Sequence, residues 1–129
     1  MADPQVPQDR HYQDYLAYRR ALEDIRDVQD DTKRTLKKLD DDKDETHSLH
    51  QRMKTFIEDL GYSWTAQSHN AAVGQEIYAL DDELRTTTQK IYADIDKKRE
   101  TLTRELREQK DKEEELTRAY ELKRIESQK

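Results

Sequence analysis

The chain has 129 residues, of which 42% are charged and only 32% are hydrophobic, well below the ~45–50% apolar share of ordinary globular domains. So little apolar material excludes a conventional globular core. The formal net charge of −6 leaves neither half with the basic face that nucleic acid or an anionic membrane requires. The absence of cysteine excludes disulfides, thiolate metal sites and cysteine nucleophiles.

The composition also indicates the type of secondary structure. Two glycines and two prolines leave few turns for strands, whereas Glu, Lys, Arg, Gln and Leu favour helix, so we expect an all-α protein. No run approaches the ~20 apolar residues of a membrane span, and residues 1–9 lack the apolar segment of a signal peptide. We therefore expect a cytoplasmic protein with no membrane insertion and no signal peptide, and the sequence leaves co-export with a partner open.

The first predicted element is a long helix. Pro4 and Pro7 predict a flexible leader over residues 1–8, and Asp9 can cap a helix over residues 9–60. The core positions of this helix follow a strict 3-4 spacing, typical of a coiled coil. They are Tyr15, Tyr18, Leu22, Ile25, Gln29, Thr32, Leu36, Leu39, Lys43, Thr46, His50, Met53, Ile57 and Leu60. Residues 40–45 are acidic and favour helix poorly, but the register is the same on both sides, so a continuous helix is favoured over a break.

Gly61 directly follows Leu60, the usual place of a helix C-cap, so we predict a turn over residues 61–66 and a second helix over residues 67–127. In helix 2 the apolar pairs recur every eleven residues, which favours a straight or slightly right-handed course. The pairs are Leu80/Leu84, Ile91/Ile95 and Leu102/Leu106. Because the connection is short, the two helices should form a long antiparallel, coiled-coil-like hairpin, a single domain.

A turn near residue 65 predicts that the residue numbers of facing pairs sum to about 131, which places Met53 beside Ile77. Leu80 and Leu84 would then lack apolar partners, because the residues opposite them are polar. Those residues are His50 and Thr46. A two-helix hairpin covers each apolar stripe from one side only, so we expect it to complete a helical bundle with a partner or, alternatively, by self-association.

The sequence offers only weak candidates for a metal site or a catalytic site. His47 and His50 are three residues apart, but zinc needs further ligands that the sequence does not supply, and a partly wet core histidine is the better interpretation of His50. The many carboxylates lack the concave, dry pocket that acid/base catalysis requires. We therefore predict a protein that is not an enzyme and that has no metal site and no cofactor.

Two aromatic groups are candidates for contact. Tyr12, Tyr15 and Tyr18 are predicted to meet Tyr120 at the open end of the hairpin, either closing it or forming a docking patch. Near the turn, a second aromatic group favours contact with a partner. The predicted partner-binding residues are Leu80, Leu84, Ile91, Phe56, Tyr62 and Trp64.

The hairpin, with a tryptophan near its turn, resembles the small WXG/ESX-like proteins of type VII secretion, although Trp64-Thr65-Ala66 lacks the glycine of their Trp-x-Gly motif. Residues 56–60, 75–84 and 102–116 are more closely similar to a family of small helical partners of LXG toxins. That resemblance implies a targeting factor or chaperone that binds the helical N-terminal domain of a toxin, alone or with a second small helical protein, and aids its export. The alternative is a structural stalk or scaffold, similar to FliJ/YscO-type export stalks or to phage assembly proteins.

Overall fold

A computed structural model of the chain describes the backbone of residues 6–68 and 71–128 and the side chains of residues 10–64 and 71–128. These residues form two helices, α1 (Val6–Ser68) and α2 (Ala71–Ser127), and include no strand. The helices pack against each other as a hairpin, with side-chain contacts between early α1 and late α2 and between late α1 and early α2. The predicted all-α, two-helix fold is confirmed.

The boundaries of α1 differ from those predicted. The helix begins at Val6, because proline in a first helical turn gives up no intrahelical hydrogen bond, so Pro7 does not hold residues 6–8 in an extended leader. Residues 1–5, the remainder of the predicted leader, lie outside the described residues. At the other end α1 continues to Ser68, so the predicted turn over residues 61–66 is wrong.

Gly61 explains why the turn was misplaced. Its φ does not lie in the left-handed region that a C-cap residue adopts, and an added Cβ would lie 3.3 Å from Ile77 Cγ2. The glycine therefore serves a close approach of the two helices inside α1 rather than a helix end.

Continuity of α1 through residues 40–45 is confirmed. Two ion pairs to α2 offset part of the repulsion among these carboxylates. Asp40 Oδ1 lies 3.2 Å from Arg99 Nε, and Lys43 Nζ lies 3.3 Å from Asp96 Oδ1. Cations supplied by the second helix therefore help to keep an acidic stretch helical.

The chain packs as two compact units, each containing parts of both helices. We refer to Met1–Leu36 with Thr101–Lys129 as the terminal unit and to Lys37–Glu100 as the central unit. In the terminal unit Tyr18 stacks on Tyr120 with ring centroids 4.3 Å apart. In the central unit His50 Nδ1 and Thr88 Oγ1 share a hydrogen bond of 2.8 Å.

Both units show the same helix pairing, and it differs from the predicted one. The residue numbers sum to 138 in the contacting pairs Tyr18/Tyr120, His50/Thr88 and Gly61/Ile77. The observed sum exceeds the expected value of about 131 by seven, which is one heptad. Because α1 continues past Gly61, each residue of α1 pairs with a residue of α2 seven positions nearer the C-terminus than expected. Since the α1 stripe also repeats every seven residues, the shift leaves the same face of α1 against α2.

Most of the predicted core positions of α1 are confirmed. Twelve of the fourteen are buried or half-buried, and the exceptions are Tyr15 and Met53. Several of the most buried positions are polar, including Gln29, Thr32 and, on α2, Thr88, each 7% exposed. The interface between the helices is thus partly polar along its length.

The eleven-residue repeat predicted for α2 holds only locally. From Tyr92 onward the buried and half-buried positions, apart from Thr117, follow a seven-residue repeat: Tyr92, Ile95, Arg99, Leu102, Leu106, Gln109, Glu113, Leu116 and Tyr120. Arg99, Gln109 and Glu113 were not recognised because they are not apolar. Between Val73 and Ile95 these positions follow an eleven-residue 4-4-3 spacing instead, which is a stutter in the heptad pattern; they are Val73, Ile77, Asp81, Leu84, Thr88, Tyr92 and Ile95.

Candidate docking groove

In the central unit the two helices leave an open groove of about 300 Å³ between them. Its lining is mainly aliphatic, and Glu83 is its one carboxylate. The lining residues are Thr46, Leu49, His50, Met53, Ile57, Leu80, Glu83, Leu84, Thr87, Thr88 and Ile91. We call this surface the docking groove.

The apolar side chains along the docking groove are unusually exposed. Leu49 is 50% exposed, Met53 44%, Leu80 47% and Ile91 41%. The stutter in α2 explains this exposure, because α1 keeps an unbroken heptad over the same length and the two stripes no longer coincide. Met53 of the α1 stripe therefore stays half in water, together with Leu49, Leu80 and Ile91, which lie beside the two stripes.

The floor of the docking groove is well packed. Ile57 is 8% exposed and Thr88 is 7% exposed. The hydrogen bond between His50 Nδ1 and Thr88 Oγ1 satisfies two polar groups that lie half-buried and buried there. The groove is therefore a built concave surface, with a fixed floor and exposed apolar walls.

The structure brings three of the predicted partner-binding residues together, since Leu80, Leu84 and Ile91 all line the docking groove. The expectation that Leu80 and Leu84 lack apolar neighbours is wrong, because the heptad shift in pairing places them in the same groove as Met53 and Ile57. Leu49 was missed because it lies outside the 3-4 register. Its position four residues before Met53 was the available signal.

The predicted aromatic group does not form one surface. Phe56, Tyr62 and Trp64 lie within α1 rather than on a turn, with exposures of 65%, 82% and 44%. Phe56 follows Met53 by three residues and so extends the wall of the docking groove towards the C-terminus of α1. Tyr62 lies about 120° from Phe56 around the helix axis, and thus on a different face.

The aromatic cluster predicted at the open end of the hairpin is confirmed for Tyr15, Tyr18 and Tyr120 but not for Tyr12. Tyr18 and Tyr120 stack, and the Tyr15 ring lies 6.3 Å from that of Tyr120 in a tilted arrangement. The Tyr18 hydroxyl and Thr117 Oγ1 share a hydrogen bond of 3.1 Å. The polar end of Tyr18 is therefore used within the hairpin, whereas Tyr12 remains 60% exposed.

A polar group also bridges the helices of the terminal unit. Gln29 Nε2 donates to Glu113 Oε2 at 2.8 Å, and Arg26 Nη2 lies 3.3 Å from Glu113 Oε1. The Gln29 hydrogen bond is the main reason that the pKa of Glu113 lies below its ordinary value, and Arg26 adds to the effect. This carboxylate is held in its charged form by the packing of α1 on α2.

Among the described residues, no group of three or more His, Asp or Glu side chains is placed to hold a metal ion. Neither helix, over the residues that the structure covers, is apolar enough along a sufficient length to cross a membrane.

These features define an α-helical hairpin with an open apolar docking groove. The chain belongs to DUF3958, a family of proteins of unknown function, whose model matches residues 17–125. The matched segment includes every residue of the docking groove. Comparisons with curated proteins and with solved structures find no match.

Proposed function

We propose that this protein is a non-enzymatic helical partner that binds the helical N-terminal domain of a secreted LXG-type toxin and aids its export by type VII secretion. The observation that carries the proposal is the docking groove, whose walls expose Leu49, Met53, Leu80 and Ile91 to between 41% and 50%. The resemblance of residues 56–60, 75–84 and 102–116 to partners of LXG toxins supplies the class of partner.

The dimensions of the docking groove suit a helix. Its lining runs from Thr46 to Ile57 on α1 and from Leu80 to Ile91 on α2. Each stretch is about 17 Å long, which matches roughly three turns of a helix laid along it. A third helix with apolar residues at i, i+4, i+7 and i+11 would contact both walls at once, as in a helical bundle.

Binding of a partner helix would also remove the free-energy cost of leaving these apolar side chains exposed to water. Covering an aliphatic side chain completely is worth about 1.5–3 kcal/mol relative to full exposure, so several half-exposed side chains give a partner helix a substantial gain. The toxin domain would supply this cover, alone or together with a second small helical protein.

The test is co-purification with the N-terminal domain of an LXG toxin of the same organism, followed by thermal melting of the mixture. We expect a stable complex and a melting temperature of this chain that rises with the concentration of the toxin domain, because a ligand that binds only the folded state stabilises it. An unchanged melting temperature and no complex would favour the alternative, a self-sufficient stalk or scaffold.

Matched variants show whether the docking groove is the binding surface. Leu80→Gln and Leu49→Gln should each weaken the complex by about tenfold or more, a loss of roughly 1.4 kcal/mol. Leu122→Gln is the control, since Leu122 is exposed to a similar degree, 56%, but lies on α2 in the terminal unit. Equal weakening by all three variants would show that the groove has no special role.

A further inference from the structure

The two walls of the docking groove differ in charge. On α2 the helical neighbours of Leu80, three or four residues away, are Glu76, Ile77, Glu83 and Leu84. Both charged neighbours are acidic, and Glu83 itself lines the groove. On α1 the corresponding charged neighbours of Leu49 are Glu45 and Arg52, one of each sign. Around Leu80 the α2 wall is therefore acidic, whereas the α1 wall around Leu49 is balanced.

Among the described residues, no cation forms an ion pair with the acidic carboxylates beside Leu80. Nearby carboxylates on α2 have cations of their own, since Asp82 pairs with Arg85 and Asp94 pairs with Lys98. Glu76 and Glu83 are exposed, and neither forms an ion pair with any side chain that the structure describes. Their charges remain available to a group outside this chain.

We propose that the docking groove selects a partner helix that carries basic residues one heptad apart along the flank facing α2. Glu76 and Glu83 are seven residues apart, about 10.5 Å along α2, which is the axial spacing of equivalent positions in successive heptads of a packed helix. Apolar residues of the partner fill the groove, and its Lys or Arg side chains meet Glu76 and Glu83. The α1 wall, with one charge of each sign near Leu49, does not require a particular charge on the partner flank that faces it.

The asymmetry also specifies orientation. A helix with one basic flank fits the groove with that flank on α2, and turning the helix end for end would move the basic residues to the α1 wall. Charge pairs at the rim of an interface contribute more to partner choice and association rate than to raw affinity. This inference rests on the proposed function only in treating the groove as a docking surface.

The test uses the full chain and two synthetic amphipathic helices of about three heptads with the same apolar stripe. One carries a pair of lysines seven residues apart on one flank, and the other carries glutamates at those positions. We expect the lysine helix to bind about threefold to thirtyfold more tightly, from two exposed ion pairs of up to about 1 kcal/mol each. We expect this preference to shrink as salt is raised from about 0.05 to 0.5 M.

Variants assign the preference to the acidic wall. Glu76→Gln with Glu83→Gln should abolish the difference between the two helices, whereas Glu105→Gln with Glu108→Gln, an equal charge change on exposed residues of α2 in the terminal unit, should preserve it. Equal affinities of the two helices, binding of neither, or an unchanged preference in the Glu76/Glu83 variant would overturn the inference. Capture of the toxin domain without any such preference would leave the proposed function standing.

Discussion

His50 of α1 and Thr88 of α2 share a 2.8 Å hydrogen bond at the floor of the docking groove. Thr88 is only 7% exposed and His50 is half-buried, so the contact satisfies two polar groups that have little access to water. We predict that Thr88→Val destabilises the protein by about 1–3 kcal/mol because it leaves the His50 nitrogen unpaired. The double variant Thr88→Val with His50→Leu should recover most of that loss. Urea denaturation of the wild type, Thr88→Val, His50→Leu and the double variant measures the coupling energy between the two side chains. Additive losses of stability would show that they do not interact.

Glu113 should make stability depend on pH. The pKa of Glu113 is lower in the folded protein than its ordinary value of 4.5. Its ionised carboxylate therefore contributes fully to the stability of the fold above pH 4.5, and this contribution is lost as the pH falls through the pKa of the folded state. We expect the melting temperature of the wild type to fall towards that of Glu113→Gln as the pH drops from 7 to about 3. Gln29→Leu should raise the pKa of Glu113 in an NMR titration. A Glu113 pKa that is unchanged in this variant would contradict the role given to the Gln29 hydrogen bond.

The two glycines should respond differently to alanine. An added Cβ at Gly74 meets no atom within 4 Å, so Gly74→Ala should stabilise the protein by about 0.5–1 kcal/mol through helix propensity alone. At Gly61 the methyl would lie 3.3 Å from Ile77 Cγ2, so the same gain should be reduced or cancelled. Ile77→Leu, which removes that γ2 methyl by moving the branch from Cβ to Cγ, should restore it. Chemical denaturation provides the measurement, and a large loss of stability in Gly61→Ala would instead indicate a helix-ending glycine.

The pairing of the helices can be tested by cross-linking, since the chain has no cysteine of its own. Gly61→Cys with Ile77→Cys should form an intramolecular disulfide under mild oxidation, because these positions are in close contact. Met53→Cys with Ile77→Cys should not, because Met53 lies eight residues, about 12 Å, from Gly61 along α1. Mobility on non-reducing gels distinguishes the two outcomes. Efficient closure of the second pair would restore the register predicted from the sequence.

The stripe of α1 could be predicted residue by residue, because a 3-4 repeat persists even where its members are polar, as at Gln29 and His50. The pairing of α1 with α2 could not be predicted, because it depends on where α1 ends. A glycine after Leu60 signals a helix end and a close helix approach equally well, and only the position of Ile77 distinguishes the two. The polar members of the α2 stripe were likewise hidden, since Arg99 and Glu113 are recognisable as core positions only through their partners Asp40 and Gln29.

For the docking groove, the sequence indicated the correct leucines for an incorrect reason. Leu80 and Leu84 were expected to face polar residues, whereas they lie with Met53 and Ile57 in an apolar groove. Their exposure arises from the local mismatch between the two stripes, which an eleven-residue spacing in α2 did indicate. The place of Leu49 in the α1 wall could be recognised only from the structure, because a single leucine outside a heptad register is common on helix surfaces.

No side chain among the described residues has less than 2% of its surface exposed. Slow amide hydrogen exchange requires a region that opens only when the whole molecule unfolds, and such regions are those with dense burial. The free hairpin should therefore show graded, modest protection rather than a slowly exchanging core. A helix seated in the docking groove would enclose Ile57 and Thr88 on all sides and create that core at the contact. The most protected amides of the protein would then be those shared with its partner.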